Sequence, residues 1–212
     1  MQYQKQPIGL VMATRLEAKP FLTGLSWRNA SETPFPVYHD NNRVLIISGI
    51  GKANAAMAAA WLCMQFFPAC LVNLGAAGTT RAGKRLGAIY QIRETVEPDR
   101  RHYQTGRPFR QQPDVLPGFA TARLATLDQA TLEAEKRKEI SSAAELVDME
   151  GAAVVQAARR FQVPCCLFKF VSDTAAHTTG GEIISHIRQY RQSLFDFFIT
   201  ELLPALKRAD LR

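Results

Sequence analysis

Short, unbroken apolar runs alternate with stretches of helical periodicity along this chain. Residues 8–13 and 44–48 are strand-length and apolar throughout, the pattern of strands buried on both faces. Glu17 falls about one turn into a helix after the first. Gly49-Ile50-Gly51-Lys52 turns into an alanine-rich helix over 53–67, which Pro68 ends. A short strand at 71–74 is closed by Gly75-Ala76-Ala77-Gly78, and further strands are predicted at 88–92 and 120–125. Residues 131–142 read as a charged, exposed helix, and 151–161 as an amphipathic one with Val154, Val155 and Ala158 at helical spacing. A strand at 165–171 and a long helix at 182–206 close the chain.

This alternation predicts an α/β fold: a single domain over 1–212, with a central mixed, mainly parallel twisted sheet flanked by helices. Residues 93–119 depart from it. They hold Pro98, Pro108, Pro113 and Pro117 with little periodicity, and read as a long excursion near a site.

Composition narrows the picture. With 47% hydrophobic and 21% charged residues, the 212-residue chain can bury a sizeable core and is no disordered segment. The formal charge is +7, and residues 81–110 supply most of it, with eight cations against three anions. Such a zone suits an anionic ligand or a solvated loop; without aromatic-interleaved or zinc-finger patterns, nucleic acid is not the expected partner. Cys63, Cys70, Cys165 and Cys166 form no C-x-x-C pair and lie in apolar stretches, as free thiols in a reducing compartment do. No signal-peptide core or 20-residue apolar span is present, so the expectation is a cytoplasmic protein without membrane association. The four histidines (His39, His102, His177, His186) show no ligand spacing, so neither metal nor cofactor is implied.

Ligands of open α/β sheets bind beyond the carboxyl ends of the strands. At or just beyond the predicted strand ends stand Thr14-Arg15-Leu16-Glu17, Gly49-Ile50-Gly51-Lys52, Gly75-Ala76-Ala77-Gly78, Asp148-Met149-Glu150-Gly151 and Ser172-Asp173. The first glycine turn matches neither the P-loop nor the dinucleotide pattern. Asp148 and Glu150 could each serve as an N-terminal cap or a helix-dipole partner.

These segments carry a resemblance. Ile8-Gly9-Leu10-Val11 leading to Glu17, Ser48-Gly49-Ile50-Gly51-Lys52, Asn73-Leu74-Gly75-Ala76-Ala77-Gly78, Leu86-Gly87-Ala88-Ile89, Val147-Asp148-Met149-Glu150-Gly151-Ala152 and Val163-Pro164 through Val171-Ser172-Asp173 occur in order over most of residues 8–175. The chain resembles the nucleoside phosphorylase/nucleosidase superfamily, and within it most closely the 5′-methylthioadenosine/S-adenosylhomocysteine nucleosidase type. The resemblance implies cleavage of the N-glycosidic bond of a purine nucleoside through an oxocarbenium-like transition state. It implies Glu17 and Asp173 as catalytic groups, Glu17 activating water and Asp173 sharing a proton with purine N7. An apolar strand end should raise the proton affinity of Asp173, with Ser172 orienting it in the base region. Met149 and Glu150 would hold the ribose, and Gly75, Ala76 and Lys169 the water or phosphate region. It also implies a homo-oligomer, a dimer by expectation, to which the 53–67 helix could contribute Met57, Trp61 and Met64.

The chain departs from the family pattern in several places. Thr14-Arg15-Leu16 replaces an acidic lead-in, Ala76 a serine, Asp148 a glutamate and Lys169 an arginine. The base-stacking aromatic falls near Leu127, leaving Tyr103 or Phe109 as substitutes. The leading expectation is a nucleosidase acting on methylthioadenosine, adenosylhomocysteine or a futalosine-like nucleoside. The alternatives are a phosphate-dependent phosphorylase and a non-catalytic nucleoside-binding protein on the same scaffold.

Overall fold

The computed structural model describes residues 6–177 and 179–209. Strand β1 (Ile8–Met12) leads to helix α1 (Arg15–Gly24). A short hairpin, β2 (Asn29–Ser31) and β3 (Val37–His39), precedes β4 (Arg43–Ile47) and α2 (Lys52–Phe66). Next come β5 (Cys70–Thr79), β6 (Ile89–Arg101), β7 (Pro108–Gln111) and β8 (Thr121–Thr126). Helix α3 (Ala134–Ser141), β9 (Leu146–Asp148) and α4 (Gly151–Arg160) follow. The described chain ends with β10 (Cys165–Asp173), α5 (Gly180–Phe197), a π-helical turn (Phe198–Leu202) and α6 (Leu203–Arg208).

All the strands join one sheet, and β5 is its organising member. It pairs in parallel with β1 and β10 and antiparallel with β9. From β9 the sheet continues through β8 and β6 to β10, which pairs again with β5, so this part closes on itself. The open side runs β5–β1–β4–β3–β2. The sheet is thus mixed: its β1–β4, β6–β8 and β8–β9 pairs are parallel, while β10–β6, β6–β7 and β3–β4 are antiparallel. This is the mixed sheet expected from the sequence, its antiparallel neighbours added by the hairpins β2–β3 and β6–β7 and by the turn-back of β10 onto β6.

Two helical layers cover the sheet. On one face, α2 and α4 bury Ala55, Ala58, Ala59, Leu62, Val154, Val155 and Ala158 against Val11, Leu71 and Leu167. The alanines let α2 lie close, and each fully buried Leu or Val contributes about 1.5–3 kcal/mol. On the other face, Phe21 of α1 and Leu194 and Phe198 of the C-terminal helical segment pack with Leu10, Val72, Phe168 and Phe170. Gly49 and Gly51 adopt φ of +83° and +102°, which explains both glycines of the turn into α2 by backbone conformation.

Two sequence expectations change. Gly75-Ala76-Ala77-Gly78 does not close a strand; β5 runs through it to Thr79, held on both sides by β10 and β9. The proline-rich excursion is partly regular, since β6 extends to Arg101 and β7 returns along it, pairing Thr95 with Gln111 and Glu97 with Phe109. Pro98 is accommodated at a register irregularity between Glu97 and Arg101.

Candidate active site

Glu17 owes its position to the first turn of α1. Thr14 is the N-cap, its Oγ1 accepting from the Glu17 N–H at 3.2 Å. Glu17 Oε2 accepts in return from the Thr14 N–H and hydroxyl at 3.1 and 2.7 Å, a complete capping box. The other oxygen, Oε1, accepts from the Ala76 N–H on β5 at 2.9 Å. The carboxylate is buried, with one edge on its own helix and the other on the neighbouring strand. A Cβ at Gly75 would stand 2.8 Å from Oε1 and 3.7 Å from Lys169 Nζ, so glycine is what leaves room between these two charges.

Lys169, on β10 opposite Gly75, is fully buried, and its Nζ lies 2.9 Å from Asp148 Oδ2. Asp148 also accepts from Thr126 Oγ1 at 2.7 Å and from the Gly151 N–H at 2.8 Å, so it holds the first N–H of α4 although Glu150 occupies the N-cap position. Glu150 makes no side-chain cap; its Oε1 accepts from the Gly51 N–H at 2.8 Å. Burial and the neighbouring Asp148 push the Glu150 carboxyl up to about 7, against the pull of Lys169 and the Gly51 N–H. Burial alone would lower Lys169, but the carboxylates of Asp148 and Glu150 outweigh it and raise its proton affinity. Glu17 contributes to the field at both Glu150 and Lys169, so three carboxylates share one lysine.

Asp173 ends β10, paired with Gly78 of β5. Its surroundings differ from the apolar strand end that the sequence suggests. Oδ2 is ion-paired with Nη2 of Arg137, a residue of α3 that is 1% exposed. Oδ1 accepts from Ser172 Oγ at 2.5 Å. The guanidinium is fixed from behind, Nε donating to the Thr131 carbonyl at 2.8 Å and Nη1 to that of Thr79 at 2.9 Å. A Cβ at Gly78 would come within 2.5 Å of Asp173 Oδ2, so this glycine too is required by a charged group.

Met149 is half-buried between Asp148 and Glu150. Leu127 packs elsewhere than expected, in an apolar cluster with Val96, Ala125, Ile140 and Val147 beneath α3. The proposed aromatic substitutes do not replace it: Tyr103 is wholly exposed, and Phe109 lies under the Arg100 guanidinium and beside His102. The β6–β7 hairpin reaches the glycine turn before α2. Lys52, next to Gly51, bonds Asp99 at 2.8 Å and lies 3.3 Å from Asp128 and 3.5 Å from Glu97, tying hairpin and loop to the glycine turn.

The sequence and the fold have known counterparts. The sequence model of the Phosphorylase superfamily matches residues 7–138 and 119–203. The chain belongs to this superfamily. Its relatives within the superfamily include the 5′-methylthioadenosine/S-adenosylhomocysteine nucleosidase of Staphylococcus carnosus, 28% identical over 197 residues, 80% of this chain and 85% of that one. Among solved structures, a nucleosidase of the same name from Colwellia psychrerythraea in complex with adenine has a TM-score of 0.82 at 20% identity, covering 97% of this chain and 98% of that one. The futalosine hydrolase of Helicobacter pylori, in a mutant form, has a TM-score of 0.81 at 18% identity, covering 94% and 99%. These structures establish the superfamily fold for this chain.

Sequence reasoning missed Arg137. It sits in Lys136-Arg137-Lys138, inside a helix whose overall polarity suggests exposure. The available signal was Ile140 three residues on, which places Arg137 on the one face of α3 that packs inward.

Proposed function

We propose that this member of the Phosphorylase superfamily is a purine nucleosidase that hydrolyses the N-glycosidic bond of a modified adenosine-type nucleoside, of the methylthioadenosine/adenosylhomocysteine or futalosine-like class. The observation that carries this reading is the charge balance at the sugar end, where Glu17, Asp148 and Glu150 surround the single cation Lys169. A surplus of buried negative charge stabilises a sugar that becomes an oxocarbenium ion as its base departs. The same surplus repels phosphate. The Ala76 N–H, a natural anion donor, already serves Glu17. Water is therefore the fitting nucleophile, and the names of the relatives point the same way.

In this reading Glu150 accepts hydrogen bonds from the ribose hydroxyls, and Met149 lies against the sugar. Glu17, fixed on both oxygens, takes the proton of the attacking water. Asp173, held by Ser172, hands a proton to purine N7 so that the base leaves neutral. Side chains supply every one of these functions.

The test is a panel of purine nucleosides assayed with and without inorganic phosphate. We expect free base and free sugar at a rate independent of phosphate. Phosphate-dependent turnover yielding sugar 1-phosphate would overturn the hydrolytic reading, and no cleavage of any nucleoside would overturn the enzymatic one.

The reading extends to assembly and location. Met57 and Met64 of α2, with Ile50 before the helix and Phe67 after it, are exposed and apolar, which suits a dimer interface, and molar mass in solution tests it. Four buried free cysteines suit the reducing cytoplasm, and among the described residues no helix is long and apolar enough to cross a membrane.

A further inference from the structure

A buried guanidinium is costly unless it is paired, and Arg137 is paired with the one carboxylate expected at the base. Around it on α3, Glu135, Lys138 and Glu139 are exposed, so its burial is specific to this residue. Two backbone carbonyls, Thr131 and Thr79, orient the guanidinium independently of Asp173. The two oxygens of Asp173 are thereby distinguished. Oδ2 faces a fixed cation, and Oδ1 faces only the hydroxyl of Ser172. The docking of α3 itself is secured by apolar contacts of Ile140 with its cluster, which need no charge at position 137.

Resting on the nucleosidase reading, we propose that Arg137 is a positioning residue for leaving-group protonation: it commits Oδ2 of Asp173, leaving Oδ1 to meet the base, and stabilises the carboxylate that forms as the proton departs. In that step the O–H bond at Oδ1 breaks as the N7–H bond forms. The electron pair left on oxygen stays beside the guanidinium. The pair of the sugar C1′–N9 bond passes into the purine, which leaves neutral, while water captures the sugar and gives its proton to Glu17. Arg137 acts through Asp173 and transfers no proton itself.

The experiment compares two leaving groups on the same sugar: the purine, which needs a proton, and p-nitrophenolate, which does not. For Arg137→Met we expect about 100-fold slower release of purine and less than about threefold slower release of nitrophenolate. Asp173→Asn should show the same split, and the double variant should be no slower than the slower single one, as for groups acting as a unit. Arg137→Lys, which keeps the charge but not the fork, should recover part of the loss. Equal losses on both leaving groups in folded protein, or losses that multiply in the double variant, would overturn the proposal. If Arg137→Met does not fold, Arg137→Lys and the double variant, which removes both charges together, carry the same comparison. A wild-type protein that cleaves neither substrate overturns the nucleosidase reading along with this one, whereas equal losses overturn this one alone.

Discussion

The two ends of the site solve the problem of buried charge in opposite ways. At the end proposed for the sugar, three carboxylates depend on a single lysine and on backbone N–H groups from Ala76, Gly51 and Gly151. At the end proposed for the base, one carboxylate meets one guanidinium, and both are held by further neutral partners. The first arrangement is left short of positive charge, which suits a substrate that becomes cationic there. The second is balanced once Asp173 is ionised, which suits an acid that has passed its proton to the base. A buried pair costs desolvation, and breaking it by removing one partner costs more. The lesson is that net charge at each end, more than the number of acids, matches the chemistry proposed for it.

The contrast can be tested in order of expected effect. Glu17→Gln should slow hydrolysis by about 10³-fold, because the amide cannot take the proton of water. The helix should remain capped, since Gln still accepts from Thr14. Rates near wild type would move the nucleophile's base elsewhere. Lys169→Met leaves three acids without their cation and should cost about 3 kcal/mol of stability in denaturant unfolding. Asp148→Asn in that background should return part of it; a wild-type midpoint for Lys169→Met would mean that the lysine is not the hub.

Glu150 gives a pH signature. Its carboxyl is raised to about 7 in the folded protein from an ordinary 4.5, so the folded state holds a proton that the unfolded chain releases. This contribution is fully present below pH 4.5 and is lost as pH rises to about 7, on the order of 3 kcal/mol. Unfolding measured across that range should show the decline in wild type and a flatter profile in Glu150→Gln. Activity should rise through the same limb, as the ionised form accepts from ribose. The smallest effect is Thr14→Ala, about 1 kcal/mol less stable through loss of the cap, with a rate loss well below that of Glu17→Gln.

Much of this was legible in the sequence. The strands around 8–13, 44–48 and 165–171 are apolar because both of their faces are covered, and that continuity marks them. The placement of Glu17, Glu150 and Asp173 came from strand ends and from the resemblance. Pairing across the sheet could not be read. The second half of β5 looks like a turn because its glycines suit one; they are there to leave space for Glu17 and Asp173. The β6–β7 hairpin is polar and proline-bearing, so cross-strand hydrogen bonds, rather than an apolar face, define it. Leu127 stands where the resemblance puts the base region, yet its side chain turns into the cluster beneath α3. Arg137 was hidden among like charges, because burial of one lysine-flanked arginine depends on an acid 36 residues away.

The capping box at Thr14 and Glu17 has a wider consequence. One carboxylate both finishes the first helical turn and, in the proposed mechanism, serves as the base for water, so that base exists only while the turn is wound. Fraying of a few residues, far short of global unfolding, would silence the protein. Amide exchange at the start of α1 should therefore track loss of turnover on warming, ahead of any change in the sheet.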